Sequence, residues 1–391
     1  MTEVPLPSDA PGAPDAPSET SQTGDPLHAE FARWLQELTM LEGSDLHVKV
    51  GSPPLVRAGS DLRRLDGQPV TADLAAALAD RLIPGNRKGR FERDGAVDFA
   101  HSEPGVGRFR ANVFRQRGSV SMVFRKLRLG GPPFEEVGLP PVVQKLAEEQ
   151  RGLILVTGPT GSGKTTTLAA MIEHINASRP VHIVTIEDPV EVLFRDKMAA
   201  VNQREVGEDC ASFLDAMRSA MRQDPDVILI GEMRDDETVR AALQAAETGH
   251  LVLSTLHTLD ATETVNRVVD FFPPHQQQQI RLTLAGSLRG IVCQRLVPST
   301  TGGRVPCLEV LVNTGRIAAR IADPKSTSEI HDVIEEGEYY GMRTFDHSLV
   351  DLVSEGQVTV EEALKAASEP HDLELMLKGK GVIDTSLAFT R

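Results

Sequence analysis

Gly158-Pro159-Thr160-Gly161-Ser162-Gly163-Lys164-Thr165 follows the pattern G-x-x-x-x-G-K-[ST], which is typical of a P-loop that binds nucleotide phosphates. The apolar run 152–157 before it predicts a buried strand, and residues 166–177 after it carry apolar side chains at helical spacing. Glycines in such a loop let backbone N–H groups converge on phosphate oxygens, and the helix N-terminus adds partial positive charge. We therefore expect a nucleotide, ATP, to bind here.

The residues expected to hold the nucleotide are the loop itself and the first turn of the following helix. Lys164 should reach the β- and γ-phosphates, and the Thr165 hydroxyl should bind Mg²⁺. The alternative, an accidental glycine-rich turn, leaves the flanking strand and helix unexplained. The full expected set is Gly158, Pro159, Thr160, Gly161, Ser162, Gly163, Lys164, Thr165 and Thr166.

Composition limits the class of protein. The 391 residues carry a formal net charge of −15 and 40% hydrophobic residues, as expected for a soluble chain of two or three domains. Because phosphate contacts need clustered Lys and Arg, this charge argues against nucleic acid as a partner.

The three cysteines form no C-x-x-C pair, so a reduced, cytoplasmic protein without zinc or disulfides is predicted. No apolar run approaches the ~20 residues of a membrane span, and no signal peptide is recognisable, so membrane insertion is not expected.

The order of apolar and turn-forming segments predicts an α/β protein with a smaller α+β domain in front of the P-loop. After the P-loop, strands and helices alternate, which indicates a parallel sheet with helices on both faces. The expected segments are a disordered, Pro-rich acidic tail (1–26), an N-terminal α+β domain (27–130), a Gly- and Pro-rich linker (131–141), an ATPase domain (142–378) with C-terminal helices (about 312–378), and a flexible tail (379–391).

Individual elements are predicted from the same patterns. In the first domain these are helices over 27–41 and 71–82 and strands over 45–50, 53–65, 96–101, 107–115 and 119–126. In the second they are core strands over 152–157, 181–187, 227–231 and 250–256, and a strand over 305–311.

Further candidate site residues lie at the ends of strands, at the edge that carries the P-loop. Glu187 ends the run 181–187 and Asp188 follows it, and Glu232 follows the run 226–231, which has the Walker B form. Ligands of open α/β sheets bind at the carboxyl ends of the strands, so a functional role is favoured over that of solvated acids. His257 ends the next strand and is placed to sense a γ-phosphate, whereas His250 lies at the opposite end. Thr165, Glu232 and Glu187 are the expected Mg²⁺ ligands.

Arginines alternate with apolar residues in the N-terminal domain. The stretch from Arg108 through Arg110 and Arg115 to Arg117, followed by Arg125, predicts one sheet face with a row of positive charge. Two interpretations stay open from the pattern alone. The row is either an ordinary solvated face or a set of arginines aimed at the nucleotide of a neighbouring subunit.

These motifs, in this order, resemble the type II/type IV secretion ATPase superfamily. Residues 158–165 resemble its Walker A, 185–191 its Asp box, 224–235 its Walker B and 248–258 its His box. Within the superfamily the chain is most similar to the pilus-retraction ATPases of twitching motility, the PilT and PilU families. Shared signatures are Gly43-Ser-Asp-Leu-His47, Gln294-Arg-Leu and Gly341-Met-Arg-Thr-Phe-Asp-His-Ser-Leu349, and the four-cysteine zinc module of extension and type II secretion ATPases is absent from the sequence.

The resemblance implies a RecA-like P-loop core preceded by a PAS-like domain, assembled as a homohexameric ring that hydrolyses ATP. It implies that Arg110, Arg115 and Arg125 lie near the family's sensing arginines and act on a neighbour's γ-phosphate. It places Glu232 as the residue that orients the attacking water, with Glu187 as a second acid that could exchange roles with it. Expected partners are an inner-membrane pilus platform protein, at whose cytoplasmic face the ring would sit, and a paralogous pilus ATPase.

One segment departs from the family pattern. Where retraction ATPases carry a helix A-I-R-N-L-I-R-E, this chain has Arg316-Ile-Ala-Ala-Arg320-Ile-Ala-Asp323. Three alternatives to a retraction motor follow from this and from the core. They are an ATP-binding accessory subunit of a pilus motor, a secretion or assembly ATPase of the same superfamily, and a nucleic-acid translocase, against which the acidic charge argues.

Overall fold

The computed structural model of the chain describes residues 25–59 and 61–383. Its backbone contacts separate into two units, the first ending at Leu127 and the second beginning at Arg128. We call them the N-terminal unit and the P-loop unit. The expected tail 1–26 lies outside the described residues except for its last two positions, as do residues 384–391 of the expected tail 379–391.

The N-terminal unit is an antiparallel sheet with helices. Helix α1 starts where Asp25 accepts a hydrogen bond from the Leu27 N–H group (3.0 Å) and Pro26 occupies the first turn. Its strands run in the order β3-β2-β1-β6-β5-β4. The elements are α1 (Pro26–Met40), β1 (Asp45–Lys49), β2 (Leu55–Ala58), β3 (Asp61–Arg64), α2 (Ala72–Leu82), α3 (Gly85–Asp94), β4 (Ala96–Glu103), β5 (Gly107–Gln116) and β6 (Ser119–Lys126).

Two features of this unit differ from the prediction. The single strand expected over 53–65 is a hairpin of β2 and β3, because the chain reverses at Gly59, whose φ of 61° favours glycine. Helix α3 was not predicted, since its residues are mostly polar and Phe91 is the one buried side chain along it.

The P-loop unit opens with a short strand and two short helices and then alternates strands with helices. Its elements are β7 (Arg128–Leu129), α4 (Phe134–Val137), α5 (Pro141–Ala147), β8 (Gly152–Thr157), α6 (Lys164–Ser178), β9 (His182–Glu187), β10 (Val192–Leu193), β11 (Ala200–Glu205), α7 (Phe213–Ala220), β12 (Val227–Ile230), α8 (Asp236–Glu247), β13 (Leu251–Leu256), α9 (Ala261–Asp270), α10 (Pro274–Ser287), β14 (Leu288–Pro298), β15 (Arg304–Val312), α11 (Gly315–Ala322), α12 (Ile330–Glu335), α13 (Phe345–Ser354), α14 (Val360–Ala366) and α15 (Pro370–Gly379).

A seven-stranded sheet organises this unit in the order β11-β9-β12-β13-β8-β14-β15. All neighbouring pairs are parallel except β14 and β15, which form an antiparallel pair at one edge. Strands β8, β12 and β13 are buried at every position, which explains why they appear in the sequence as continuous apolar runs. The α/β fold with a parallel sheet and terminal helices is as predicted.

Three parts of the P-loop unit were not predicted. Strand β11 is only partly buried along its length and has few apolar residues, and β14 continues directly from α10 without a turn signal. The expected linker 131–141 is ordered on the P-loop unit. It contains helix α4, whose Phe134 is buried against the ring of His174 with 5.5 Å between ring centroids.

Helix α11 holds the segment that departs from the retraction-family pattern. It buries Ile317 and Ile321 and presents Arg316 and Arg320, which form ion pairs with Glu336 (2.8 Å) and Glu329 (2.7 Å). The replaced positions therefore still form a helix with a basic outer face. None of the helices in residues 25–59 and 61–383 is long and apolar enough to cross a membrane.

Candidate nucleotide site

The P-loop joins the buried end of β8 to the start of α6. Its glycines adopt left-handed backbone angles, with φ of 140° at Gly158, 80° at Gly161 and 92° at Gly163. Gln294 on β14 packs under the loop, and its side chain accepts a hydrogen bond from Thr167 Oγ1 (2.7 Å) at a buried position. Strand β14, which was not predicted from the sequence, thus supports the P-loop.

The polar groups of the loop point inward. Lys164 Nζ donates hydrogen bonds to the carbonyl oxygens of Gly158 (2.7 Å) and Pro159 (3.1 Å), and burial lowers the pKa of its ammonium group while Glu232 opposes this. The Ser162 hydroxyl is buried and has no hydrogen-bond partner among the described residues. A buried polar group without a partner is costly, and this hydroxyl lies beside Gly158 rather than in the cavity lining. Thr165 is exposed.

Glu187 ends β9 and is almost fully buried, with 8% of its surface exposed. Its Oε1 accepts hydrogen bonds from Thr185 Oγ1 (2.6 Å) and Gln203 Nε2 (3.2 Å). Burial raises the pKa of this carboxyl group, and the two hydrogen bonds oppose the rise without cancelling it. Glu187 is therefore a proton acceptor whose affinity for a proton exceeds that of an ordinary glutamate.

Glu232 follows β12 and is held on both carboxylate oxygens. His257 Nε2 lies 3.3 Å from its Oε2, and the Arg234 guanidinium contacts its Oε1. Arg234 also lies 3.8 Å from Asp188. Burial raises the pKa of Glu232, but the hydrogen bonds and charges of Arg234 and His257 outweigh burial, so the pKa is lowered. Glu232 is therefore kept ionised and oriented.

One cavity of about 630 Å³ brings these groups together. Its lining includes the P-loop residues Thr160, Gly161 and Gly163 to Thr166, both glutamates, Arg234 and His257. The carboxyl ends of parallel strands meet at one edge, which is why residues so distant in sequence share a cavity. The oxygen atoms of Thr165, Glu187 and Glu232 lie at this edge, and hard oxygen donors are the kind of ligand that Mg²⁺ prefers. No cluster of three or more His, Cys, Asp or Glu suited to a metal occurs in the described part of the chain.

His250 has a structural role, as its position suggested. Its Nδ1 lies 2.9 Å from the Ala245 carbonyl oxygen and 3.2 Å from Thr248 Oγ1, at the end of α8. His257, by contrast, keeps 56% of its side chain exposed beside Glu232. The two histidines of this strand thus have different surroundings.

The arginine row of the N-terminal unit is only partly as expected. Arg110 and Arg125 are direct cross-strand partners and share one face, where Arg125 contacts Asp45 (2.7 Å) and Arg110 lies 4.0 Å from Asp98. Arg115 is not on that face. It has the strand parity of buried Phe109, and its guanidinium lies 5.1 Å from the ring centre of Phe91. The row was wrong for Arg115 because it lies five residues after Arg110, and an odd step along a strand moves a side chain to the opposite face.

Comparison with known proteins identifies the family. Residues 135–339 match the family model of the type II/IV secretion system protein. The chain is 43% identical to the type IV pilus retraction ATPase PilT of Pseudomonas aeruginosa over 329 residues, covering 84% of this chain and 95% of PilT. It is 38% identical to the type IV pilus ATPase PilU of the same organism, covering 89% and 91% of the two chains. The chain belongs to the type II/IV secretion ATPase family and is PilT-like.

A solved structure supports the same assignment. The crystal structure of the pilus retraction motor PilT with bound ADP superposes with a TM-score of 0.81 at 45% identity, covering 88% of this chain and 99% of that one. The predicted membership and the predicted fold class are thereby confirmed. This PilT-like protein belongs to a family of ATPases.

Sequence reasoning missed three contacts of the site in this PilT-like protein. Arg234, which holds Glu232, lies two residues after it, and that spacing within the Walker B segment was the available signal. Gln203, which binds Glu187, lies on the unpredicted strand β11. Gln294, which supports the loop, stands in a family signature, and its contact with Thr167 is not indicated by that signature. Gln203 acts across the β11–β9 pairing and Gln294 acts from β14 on helix α6, and local sequence reveals neither contact.

The packing of Gln294 against the P-loop predicts that two alanine substitutions in the loop reduce stability by different amounts. A Cβ at Gly158 would lie 2.3 Å from the Gln294 carbonyl oxygen, whereas a Cβ at Gly161 would have open space within 4 Å. Both have positive φ, so backbone strain is common to the pair. We expect Gly158→Ala to reduce the stability of the P-loop unit by about 3 kcal/mol and Gly161→Ala by about 1 kcal/mol. Thermal unfolding of both variants measures this, and equal losses would contradict the packing account.

Proposed function

We propose that this protein is an ATP-hydrolysing hexameric motor that powers type IV pilus retraction. The observation that carries the proposal is the single cavity in which a P-loop, two glutamates of opposite pKa shift and His257 meet, in a chain that is PilT-like over most of its length. The pilus is named by the relatives, the ring and the membrane platform are implied by the family resemblance, and all three belong to the proposal.

The P-loop binds the nucleotide through its own groups. Backbone N–H groups of residues 158–165 and the N-terminus of α6 hold the phosphates, and Lys164 exchanges its carbonyl partners for the β- and γ-phosphates. Thr165 and Glu232 would hold Mg²⁺, and Glu187, the third expected ligand, is assigned to the attacking water instead. When bound, Mg²⁺ neutralises charge on the β- and γ-phosphate oxygens.

The two glutamates have different roles in hydrolysis. Environments that push two carboxyl pKa values apart indicate separate acid–base roles. Glu187, whose pKa is raised, accepts the proton of the attacking water as the oxygen–phosphorus bond forms and ADP leaves. Glu232, whose pKa is lowered, stays ionised and orients that water, while His257 contacts the γ-phosphate. In this proposal Glu187 is the general base and Glu232 orients the water.

A conservative substitution tests the role of Glu187 through pH. Thr185→Val removes the hydroxyl that stabilises the ionised form of Glu187, so the pKa of Glu187 should rise further. A base must be deprotonated to act, so the rate is lost as pH falls through this pKa. We expect the acid limb of the pH–rate profile to move to higher pH in Thr185→Val and to stay in place in the control Thr283→Val. An unmoved limb in both would point to Glu232 as the base.

The arginines of the N-terminal unit complete the site of a neighbouring subunit in this proposal. Arg125 keeps 70% of its side chain exposed despite its contact with Asp45, and Arg110 pairs with it across strands. Two exposed guanidinium groups on one face suit stabilisation of charge on a γ-phosphate, as arginine fingers provide. Arg115 is the weakest of the three candidates, because it packs over Phe91.

A short strand pair offers a route from the nucleotide site towards the N-terminal unit. The loop after Glu187 leads into β10, which pairs with β7 through the partners Val192 and Arg128. Strand β7 begins directly after Leu127, the last residue of the N-terminal unit. Movement of the loop at Asp188 during hydrolysis would pass through this pairing to the chain that enters the N-terminal unit.

The proposed partners are a second copy of this chain, an inner-membrane pilus platform protein and a paralogous pilus ATPase. The proposed location is the cytoplasmic face of the inner membrane, bound peripherally. Helix α11 keeps a basic outer face that suits contact with a partner, despite its altered sequence.

Restoration of pilus retraction tests the proposal. The chain is expressed in a piliated host that lacks its own retraction ATPase, and the shortening of fluorescently labelled pili is recorded. We expect retraction with the wild-type chain and none with Lys164→Ala at equal abundance. A wild-type chain that hydrolyses ATP but leaves the pili extended would overturn the retraction assignment.

A further inference from the structure

A second cavity adjoins the one that contains the glutamates. It measures about 660 Å³ and lies beside the segment 135–141 and strands β14 and β15. Four residues line both cavities: Gly163, Thr166, Leu296 and Arg304. The P-loop therefore sits at the border of two spaces, one with the hydrolytic groups and one of a size that accepts a drug-sized ligand.

The cationic side chains that line the two cavities differ in whether they already have hydrogen-bond or ion-pair partners. Lys164 binds carbonyl oxygens of its own loop, Arg234 contacts Glu232 and Asp188, and Arg343 contacts Asp351. Arg304 is exposed, and its side chain makes no hydrogen bond or ion pair with any residue in 25–59 or 61–383. Of these four cations it is the one whose guanidinium is uncommitted within the described residues.

Both cavities have more acidic than basic side chains in their lining, so the positive charge of Arg304 is important for binding phosphate. Four carboxylates line the cavity that holds the glutamates, against the three cations Lys164, Arg234 and Arg304. The second cavity likewise has four carboxylates but only two cations, Arg304 and Arg343. A phosphate chain that lies across the border meets acidic walls on both sides, and Arg304 is the cation common to both.

We propose that Arg304 binds the α- and β-phosphates of the nucleotide from within the same subunit. The proposal rests on the ATPase function proposed above and specifies one of its binding groups. The cavity with the two glutamates holds the γ-phosphate in this proposal. The second cavity then holds the base and the ribose. The α- and β-phosphates lie between them, at the border where Arg304 is found. Arg304 thus differs from His257 and from the arginines of the N-terminal unit, which are assigned to the γ-phosphate.

Affinities for di- and triphosphate nucleotides test this position. Dissociation constants for ADP and for the β,γ-imido analogue of ATP, both with Mg²⁺, are measured by calorimetric titration on the full chain. We expect Arg304→Ala to weaken both by the same factor, about tenfold to a hundredfold, because charged hydrogen bonds to phosphate are lost. Arg304→Lys should fall between, since it keeps the charge without the planar fork.

Controls separate this proposal from the function on which it rests. Arg316→Ala removes an exposed arginine from α11 and should change neither affinity, and melting temperatures verify folding of each variant. Unchanged affinities in Arg304→Ala, beside a wild-type chain that binds both nucleotides, overturn the role of Arg304 alone. Loss confined to the triphosphate analogue also overturns it, because Arg304 would then contact the γ-phosphate. A wild-type chain that binds neither nucleotide overturns both proposals.

Discussion

Lys164→Ala is expected to weaken MgATP binding by about a hundredfold and to reduce hydrolysis to background. Lys164 is the cation of the P-loop, and its half-buried ammonium group already points into the loop, where it donates to two carbonyl oxygens. A hydrogen bond to a charged group contributes roughly 1.5–3 kcal/mol, and each 1.4 kcal/mol is a factor of about ten in affinity. Calorimetric titration and phosphate release measure the two effects.

A matched lysine variant makes the result specific to the site. Lys325 is exposed and lies outside both cavities, so Lys325→Ala should leave affinity and rate unchanged. Lys164→Ala that binds MgATP with wild-type affinity would contradict the position of the phosphates in the loop.

Glu232→Gln is expected to bind ATP normally while its turnover falls by about 10²- to 10³-fold. Glutamine keeps the shape of glutamate but has no charge, so it loses the ion pair with Arg234 and cannot hold the attacking water as an ionised acceptor. Nucleotide affinity should survive because the phosphates are held by the loop and by Lys164. Titration with ATP and single-turnover hydrolysis separate binding from chemistry.

The control for this variant is Glu247→Gln, which changes an exposed glutamate at the end of α8 and should have no effect. Hydrolysis at the wild-type rate in Glu232→Gln would remove Glu232 from the mechanism. A loss of ATP affinity equal to the loss of rate would instead make Glu232 a binding residue.

The edge of the sheet that carries the site was predictable from sequence, because its signals are local. Buried parallel strands appear as continuous apolar runs, and Glu187, Glu232 and His257 each follow such a run. Once the strands are taken as parallel, their carboxyl ends must share an edge, and the cavity follows. The P-loop itself is local in sequence and in space.

What supports the site was less predictable, because it depends on contacts between distant strands. Gln203 and Gln294 act from β11 and β14, which have mixed polarity or no turn signal before them. Their effect on the pKa of Glu187 and on the packing of the loop cannot be derived from neighbours in the chain. Arg115 shows the same limit within one strand, since a single step in register moves a side chain to the other face.

The most direct test of the central claim is phosphate release per subunit as a function of protein concentration, with Mg²⁺ and saturating ATP. Sites that need a neighbour's arginines predict a specific activity that rises with concentration and then reaches a plateau, as subunits assemble. The Arg110→Ala/Arg125→Ala double variant should stay near background throughout. Phosphate release by the wild-type chain no greater than that of Lys164→Ala at every concentration would contradict the account of an ATP-driven motor.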